Sequence, residues 1–74
     1  MTSDQARAAR TLLGWEPAEL ARASGVPLTS ILTFERIGLA DPAEISQIKS
    51  ALEQAGVDFA TVWSNGVRVR KIPD

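Results

Sequence analysis

The apolar residues follow the period of an α-helix as far as Gly56 and alternate with polar residues beyond it. A first helix is predicted from residue 3 or 4 to residue 13, because Ala6, Ala9 and Leu13 recur at the spacing of one helix face. Gly14 can adopt the left-handed conformation that ends a helix, so we expect the first helix to stop there.

Two short helices joined by a tight turn are predicted within the stretch Glu16–Gly38. Pro17 stands where a helix accepts proline, at the first position. Gly25 can end this second helix in the left-handed conformation, and Pro27 opens the third helix. Gly38 ends the third helix in the same way.

The third predicted helix has two unlike faces. Ile31 and Phe34 have the spacing of a buried face. The opposite face comprises Thr29, Leu32, Thr33 and Arg36. A helix, a short turn containing glycine and a second helix with an exposed face form the helix-turn-helix pattern.

A fourth helix is predicted between Asp41 and Gly56. Asp41 suits the N-cap, Pro42 the first position and Glu44 the third, where acidic side chains support a helix start. The inward face comprises Ile45, Ile48, Ala51, Leu52 and Ala55.

The remaining residues, 57–74, predict a β-hairpin. The runs VDFATVW and VRVRKI are rich in β-branched and aromatic residues, and Asn65-Gly66 between them is a strong hairpin signal. An isolated hairpin is marginal in water, so it packs on the helices or pairs with a second copy, and we favour the second. The fold class is therefore mainly α: residues 1–56 form a four-helix domain, and residues 57–74 add a hairpin for dimerisation.

Composition limits how such a domain is stabilised. The chain has 74 residues and neither cysteine nor histidine, which excludes a disulfide framework and a Cys/His zinc site. Dimerisation is the common alternative for small domains. We expect a cytoplasmic protein without a membrane partner, because there is neither a long apolar stretch nor a signal peptide.

The charge balance is unusual for a nucleic-acid binder. The net charge is −1, with 8 basic and 9 acidic residues, so attraction to DNA has to be local. Arg68, Arg70 and Lys71 crowd the C-terminal end, where they could contact phosphates or keep a strand edge soluble.

Two charged residues are predicted on buried faces. Arg10 shares the inward face of the first helix, and Glu35 follows Ile31 by four residues. Arg10 could contact a phosphate, but we favour a partly buried structural ion pair between Arg10 and Glu35.

Residues 7–38 resemble the phage-repressor-like, XRE-type helix-turn-helix regulators, and the similarity extends over roughly residues 5–55. The residues that carry the resemblance are Arg10, Leu13-Gly14, Ala18-Glu19-Leu20-Ala21, Gly25-Val26, Ile31 and Glu35 with Gly38. The resemblance implies a helical bundle whose third helix lies in the major groove, with two copies reading a palindromic operator.

The same resemblance implies which side chains contact double-stranded DNA. The groove-facing residues by position are Leu28, Thr29, Ser30, Leu32 and Thr33, with Arg36 against the phosphate backbone. The chain departs from the family at Glu16 and Pro17, where a small polar residue and Gln are common. The proposed reading face also offers few hydrogen-bonding groups, which predicts modest affinity and a preference set largely by A·T content and DNA shape.

These observations predict a homodimeric, DNA-binding transcriptional regulator, with repression favoured over activation. The alternative is a protein-interaction module, antitoxin-like or a co-regulator, that uses Leu28 and Leu32 of the same helix face. We expect neither an enzyme nor a cofactor or metal site, since the chain lacks His, Cys, Tyr and a glycine-rich phosphate loop.

Overall fold

The computed structural model describes residues 1–59 and 68–69. The helices of this part are α1 (Ser3–Leu12), α2 (Pro17–Ser24), α3 (Leu28–Ile37) and α4 (Pro42–Gln54). Two short strands follow, β1 (Val57–Asp58) and β2 (Arg68–Val69). The prediction of a mainly helical fold with four helices is confirmed. No helix within the described ranges is long and apolar enough to cross a membrane.

Local capping interactions set the ends of α1. Thr2 is the N-cap: its hydroxyl accepts the Gln5 N–H at 3.1 Å, and the Gln5 side chain accepts the Thr2 N–H at 2.9 Å. This reciprocal pair satisfies two N–H groups that a helix start leaves free. At the other end Gly14 has φ +72°, and the Trp15 N–H donates to the Arg10 carbonyl at 3.0 Å. The helix therefore stops just before Leu13, which is its C-cap.

The starts of α2 and α4 follow the predicted pattern. Pro17 and Pro42 occupy the first positions of the two helices. The Glu19 carboxylate accepts the Glu16 N–H at 2.8 Å, and the Asp41 carboxylate accepts the Ala43 N–H at 2.9 Å. Both contacts lie within one helical turn, so each depends only on residues close to the start of its own helix.

The helices surround one hydrophobic core. Helix α1 packs against α3 and α4, and α2 packs against the same two helices. Ala6 and Ala9 are completely buried, and their small side chains let α3 and α4 come close to α1. The other buried apolar residues are Leu20, Val26, Ile31, Phe34, Ile48, Ala51, Leu52 and Val57.

The strand pairing differs from the prediction. Strands β1 and β2 are antiparallel, with Val57 opposite Val69 and Asp58 opposite Arg68. A two-residue turn at Asn65-Gly66 with unbroken pairing would place Val62 opposite Val69 instead. The predicted hairpin is therefore not supported.

A physical reason for this difference lies at the end of α4. Val57 follows that helix almost directly and is completely buried in the helical core, so tertiary packing determines where β1 lies. A turn signal in the sequence carries no information about this packing. Asn65-Gly66 itself, like the rest of residues 60–67 and 70–74, lies outside the described residues.

Candidate nucleic-acid interface

The turn between α2 and α3 is short and internally hydrogen bonded. Gly25 has φ +75°, and its N–H donates to the Ala21 carbonyl at 3.0 Å. The Ser24 hydroxyl donates to the Leu20 carbonyl at 2.7 Å and accepts the Val26 N–H at 3.2 Å. Val26 then enters the core, so the turn is anchored and sets the direction in which α3 leaves it.

The two predicted faces of α3 differ in burial. Ile31 and Phe34 are buried beneath it, with 0% and 3% of their surface exposed. Thr29, Leu32 and Arg36 lie on the opposite, solvent-exposed side. This side of α3, together with the half-buried Thr33, is called the α3 ridge below.

The two remaining residues of the predicted reading face lie at the flanks of the α3 ridge. Leu28 is 41% exposed and stands at the first position of α3. Ser30 is half-buried, and its hydroxyl donates to Glu44 Oε2 at 3.1 Å. Ser30 therefore has a partner on α4, which the sequence pattern did not predict.

Arg10 and Glu35 meet in the geometry of a two-bond ion pair. Arg10 Nε donates to Glu35 Oε2 at 2.8 Å, and Nη2 donates to Oε1 at 2.9 Å. The third nitrogen, Nη1, donates to the Trp15 carbonyl at 2.7 Å. The two side chains are only 14% and 9% exposed, and all three guanidinium nitrogens of Arg10 donate to groups within the protein.

Arg7 supplies a second link between α1 and α3 that sequence reasoning missed. Its Nη1 donates to the Glu35 carbonyl at 3.0 Å, and its Nη2 donates to Asp4 Oδ1 at 2.8 Å. That carbonyl belongs to the last turn of α3, where carbonyls lack intrahelical partners. The position of Arg7 one turn before Arg10 was the available signal.

A shallow groove runs between α3 and the start of α4. Its volume is about 170 Å³, and its walls are Thr29, Ser30, Thr33, Leu39, Ala40 and Glu44. The hydroxyls can donate or accept hydrogen bonds, whereas an ionised carboxylate only accepts. The groove is thus continuous with the α3 ridge and contains one acid.

The charges around the α3 ridge are mixed. Arg36 is exposed in the last turn of α3, and Arg22 is exposed in the last turn of α2. The start of α2 carries Glu16, whose side chain is exposed, and Pro17, which has no N–H to offer a phosphate. Of the basic cluster at the C-terminal end, Arg68 lies in β2, while Arg70 and Lys71 are outside the described residues.

Comparison of the chain with protein-family models finds no match, and comparisons with curated proteins and with solved structures find none either. The resemblance of residues 7–38 to the helix-turn-helix regulators therefore stays a prediction from sequence. Function has to be inferred from the residues and contacts described above.

Proposed function

We propose that this protein is a sequence-specific, DNA-binding transcriptional regulator that places α3 in the major groove. The observation that supports this most directly is the α3 ridge, where Thr29, Leu32 and Arg36 face solvent above the buried Ile31 and Phe34. The major groove of B-DNA is about 12 Å wide and admits an α-helix. A helix held from beneath with a free outer side meets the geometric requirement for insertion.

The contacts beneath α3 support a preorganised interface. The Arg10–Glu35 pair and the Arg7 bond to the Glu35 carbonyl join α1 to the second half of α3. The hydrogen-bonded turn at Gly25 holds its beginning. Because both ends of α3 are held, little conformational entropy is lost when the helix docks.

The side chains available on α3 determine the expected mode of recognition. Thr29 and Thr33 can bond a base edge or touch a thymine methyl, and Leu28 and Leu32 can make apolar contact with that methyl. Arg36 is suited to a phosphate contact. The full set proposed to contact DNA is Leu28, Thr29, Ser30, Leu32, Thr33 and Arg36. Such a face predicts modest affinity for one site and a preference for A·T-rich DNA.

Two copies acting together would compensate for weak binding at one half-site. We therefore propose a homodimer that binds a palindromic operator and represses by occupying the promoter. The segment 57–74 is the proposed contact between copies.

The test is a titration of the purified protein against duplex DNA from its own promoter region, at low salt and with competitor DNA present. We expect saturable binding that resists the competitor. Because phosphate contacts release counterions, the affinity should fall as salt rises. Absence of saturable binding under these conditions would refute the proposal.

A second function is favoured by the apolar residues around the same helix. Leu28, Leu32, Ile37 and Leu39 are 41%, 48%, 57% and 66% exposed. Clusters of exposed apolar side chains often mark protein-binding surfaces. On this alternative α3 binds a protein, such as a toxin or another regulator, and DNA contact is secondary.

Substitution of both Leu28 and Leu32 by Ser separates the two functions. If α3 binds a protein, the double variant loses that partner in a pull-down and keeps its residual DNA binding. If the leucines contact thymine methyls, the variant loses affinity for A·T-rich duplexes.

A further inference from the structure

Glu44 occupies an unexpected place beside the α3 ridge. Its position in the first turn of α4 suggests a capping role, but Asp41 caps that helix through the Ala43 N–H. The Glu44 carboxylate is bonded to the Ser30 hydroxyl and lines the same groove as Thr29 and Thr33. It is the one charged side chain among the residues that line this groove.

The chemistry of a carboxylate restricts what it can face in a DNA groove. An ionised carboxylate has acceptors only, so phosphate oxygens and the carbonyl oxygens of thymine or guanine would repel it. Cytosine presents an exocyclic amino group in the major groove without an acceptor of its own on that edge. Adenine also presents an amino group, but its neighbouring N7 is an acceptor.

We propose that Glu44 is a specificity-determining residue that accepts a hydrogen bond from the exocyclic amino group of one cytosine in each half-site. This inference depends on the proposed DNA binding. Ser30, which belongs to the set proposed to contact DNA, then also positions Glu44, because its hydroxyl holds the carboxylate against α3 at 3.1 Å. The face that offers mostly hydroxyls and methyl groups thereby gains one contact that distinguishes C·G from T·A.

The experiment begins with selection of bound duplexes from a pool with a randomised central stretch, using the full chain. Affinities are then measured for duplexes carrying each of the four bases at every selected position. For the wild-type protein we expect one position per half-site where cytosine is preferred over thymine by about fivefold or more. Glu44→Gln should strongly reduce that preference, because the amide can also donate to the thymine oxygen, and leave the preferences at other positions intact.

Two further variants test whether the length of the Glu44 side chain and its bond to Ser30 matter for the cytosine preference. Glu44→Asp keeps the charge but shortens the side chain, so it should lose the cytosine preference as well. Ser30→Ala should weaken the preference at the same position, because the carboxylate is no longer held. Glu53→Gln is the matched control, since Glu53 is an exposed acid in the last turn of the same helix and should bind like the wild-type protein. Circular dichroism verifies that each variant is folded.

The outcomes distinguish this inference from the proposed function. If the wild-type protein binds DNA but Glu44→Gln changes its affinity for all duplexes by one common factor, Glu44 contributes only charge and the inference is wrong. The inference is equally wrong if the wild-type protein binds DNA but selects cytosine at no position. If the wild-type protein binds no duplex saturably, the proposed function fails and this inference with it.

Discussion

At the scale of single residues, Arg10 joins three parts of the domain through one guanidinium group. It contacts the Glu35 carboxylate on α3 and the Trp15 carbonyl that precedes α2. Both charged side chains are largely removed from water, so each needs the other to offset the cost of desolvation. The pair therefore matters for the orientation of α3.

We predict that Arg10→Ala lowers the free energy of unfolding by about 3–5 kcal/mol, because it leaves the Glu35 carboxylate buried without its partner. A domain of this size has roughly 0.05–0.15 kcal/mol of stability per residue, so the loss would be a large part of the total. Urea denaturation followed by circular dichroism measures it. Arg22→Ala removes an exposed arginine and should change stability by no more than about 0.5 kcal/mol. Equal effects of the two substitutions would contradict a buried ion pair.

The residues of the α3 ridge should divide into two classes in DNA binding. We predict that Thr29→Ala and Thr33→Ala each reduce discrimination between preferred and altered duplexes by about 1–3 kcal/mol, because they remove contacts to base edges. Arg36→Ala should weaken binding to all sequences alike and lower the salt dependence by about one unit, because it removes a phosphate contact. Competition titrations at several salt concentrations measure both effects. Uniform weakening by the threonine substitutions would show that these residues do not read bases.

At the scale of elements, the angle between α2 and α3 depends on a three-residue connection. Gly25 is left-handed, Val26 is buried and Pro27 is the N-cap of α3. A side chain placed on Gly25 would have open space around it, since no atom beyond Gly25 and its two chain neighbours lies within 4 Å of the position of a Cβ there. The requirement for glycine is therefore one of backbone conformation and not of volume.

Two substitutions at Gly25 can show whether backbone conformation, and not volume, requires glycine there. We predict that Gly25→Ala lowers stability by about 1–2 kcal/mol, which is the cost of placing an L-residue with a Cβ in the left-handed region. Gly25→Asn should lower stability by less than Gly25→Ala does, because asparagine tolerates the left-handed region better than alanine. Thermal or urea unfolding of both variants gives the comparison. If asparagine costs as much as alanine, a factor other than the backbone conformation is responsible.

At the scale of the whole molecule, the four short helices of residues 1–59 enclose a small core. Many of its central side chains are large, among them Leu20, Ile31, Ile48 and Leu52, but the helices themselves have only 8 to 13 residues. Small domains bury a limited fraction of their surface and gain stability from association. Association of two copies would also place two α3 ridges on one duplex.

We predict that the melting temperature rises with protein concentration, because a folded dimer is favoured by mass action. Sedimentation equilibrium should give twice the 8.0 kDa mass of one chain at the concentrations used for DNA binding. A concentration-independent melting temperature, together with the mass of a single chain throughout, would exclude the dimer. Binding to a single half-site would then be the arrangement to test.

The sequence by itself determined where the helices begin and end. Pro17, Gly25 and Asp41 act on backbone groups within one turn of their own positions, so their effect can be predicted without knowing the fold. Helical periodicity likewise assigned Ile31 and Phe34 to the buried face, because a residue's side of a helix follows from its spacing alone.

Apart from the Arg10–Glu35 pair, which the sequence predicted, only the tertiary structure decided which distant groups meet. The bond from Ser30 to Glu44 joins α3 to α4, the bond from Arg7 to the Glu35 carbonyl joins α1 to α3, and neither has a local signature. The pairing of β1 with β2 also depends on tertiary structure, because Val57 of β1 is buried in the core that the helices form. Such contacts depend on how complete helices pack, and that packing is a property of the whole chain.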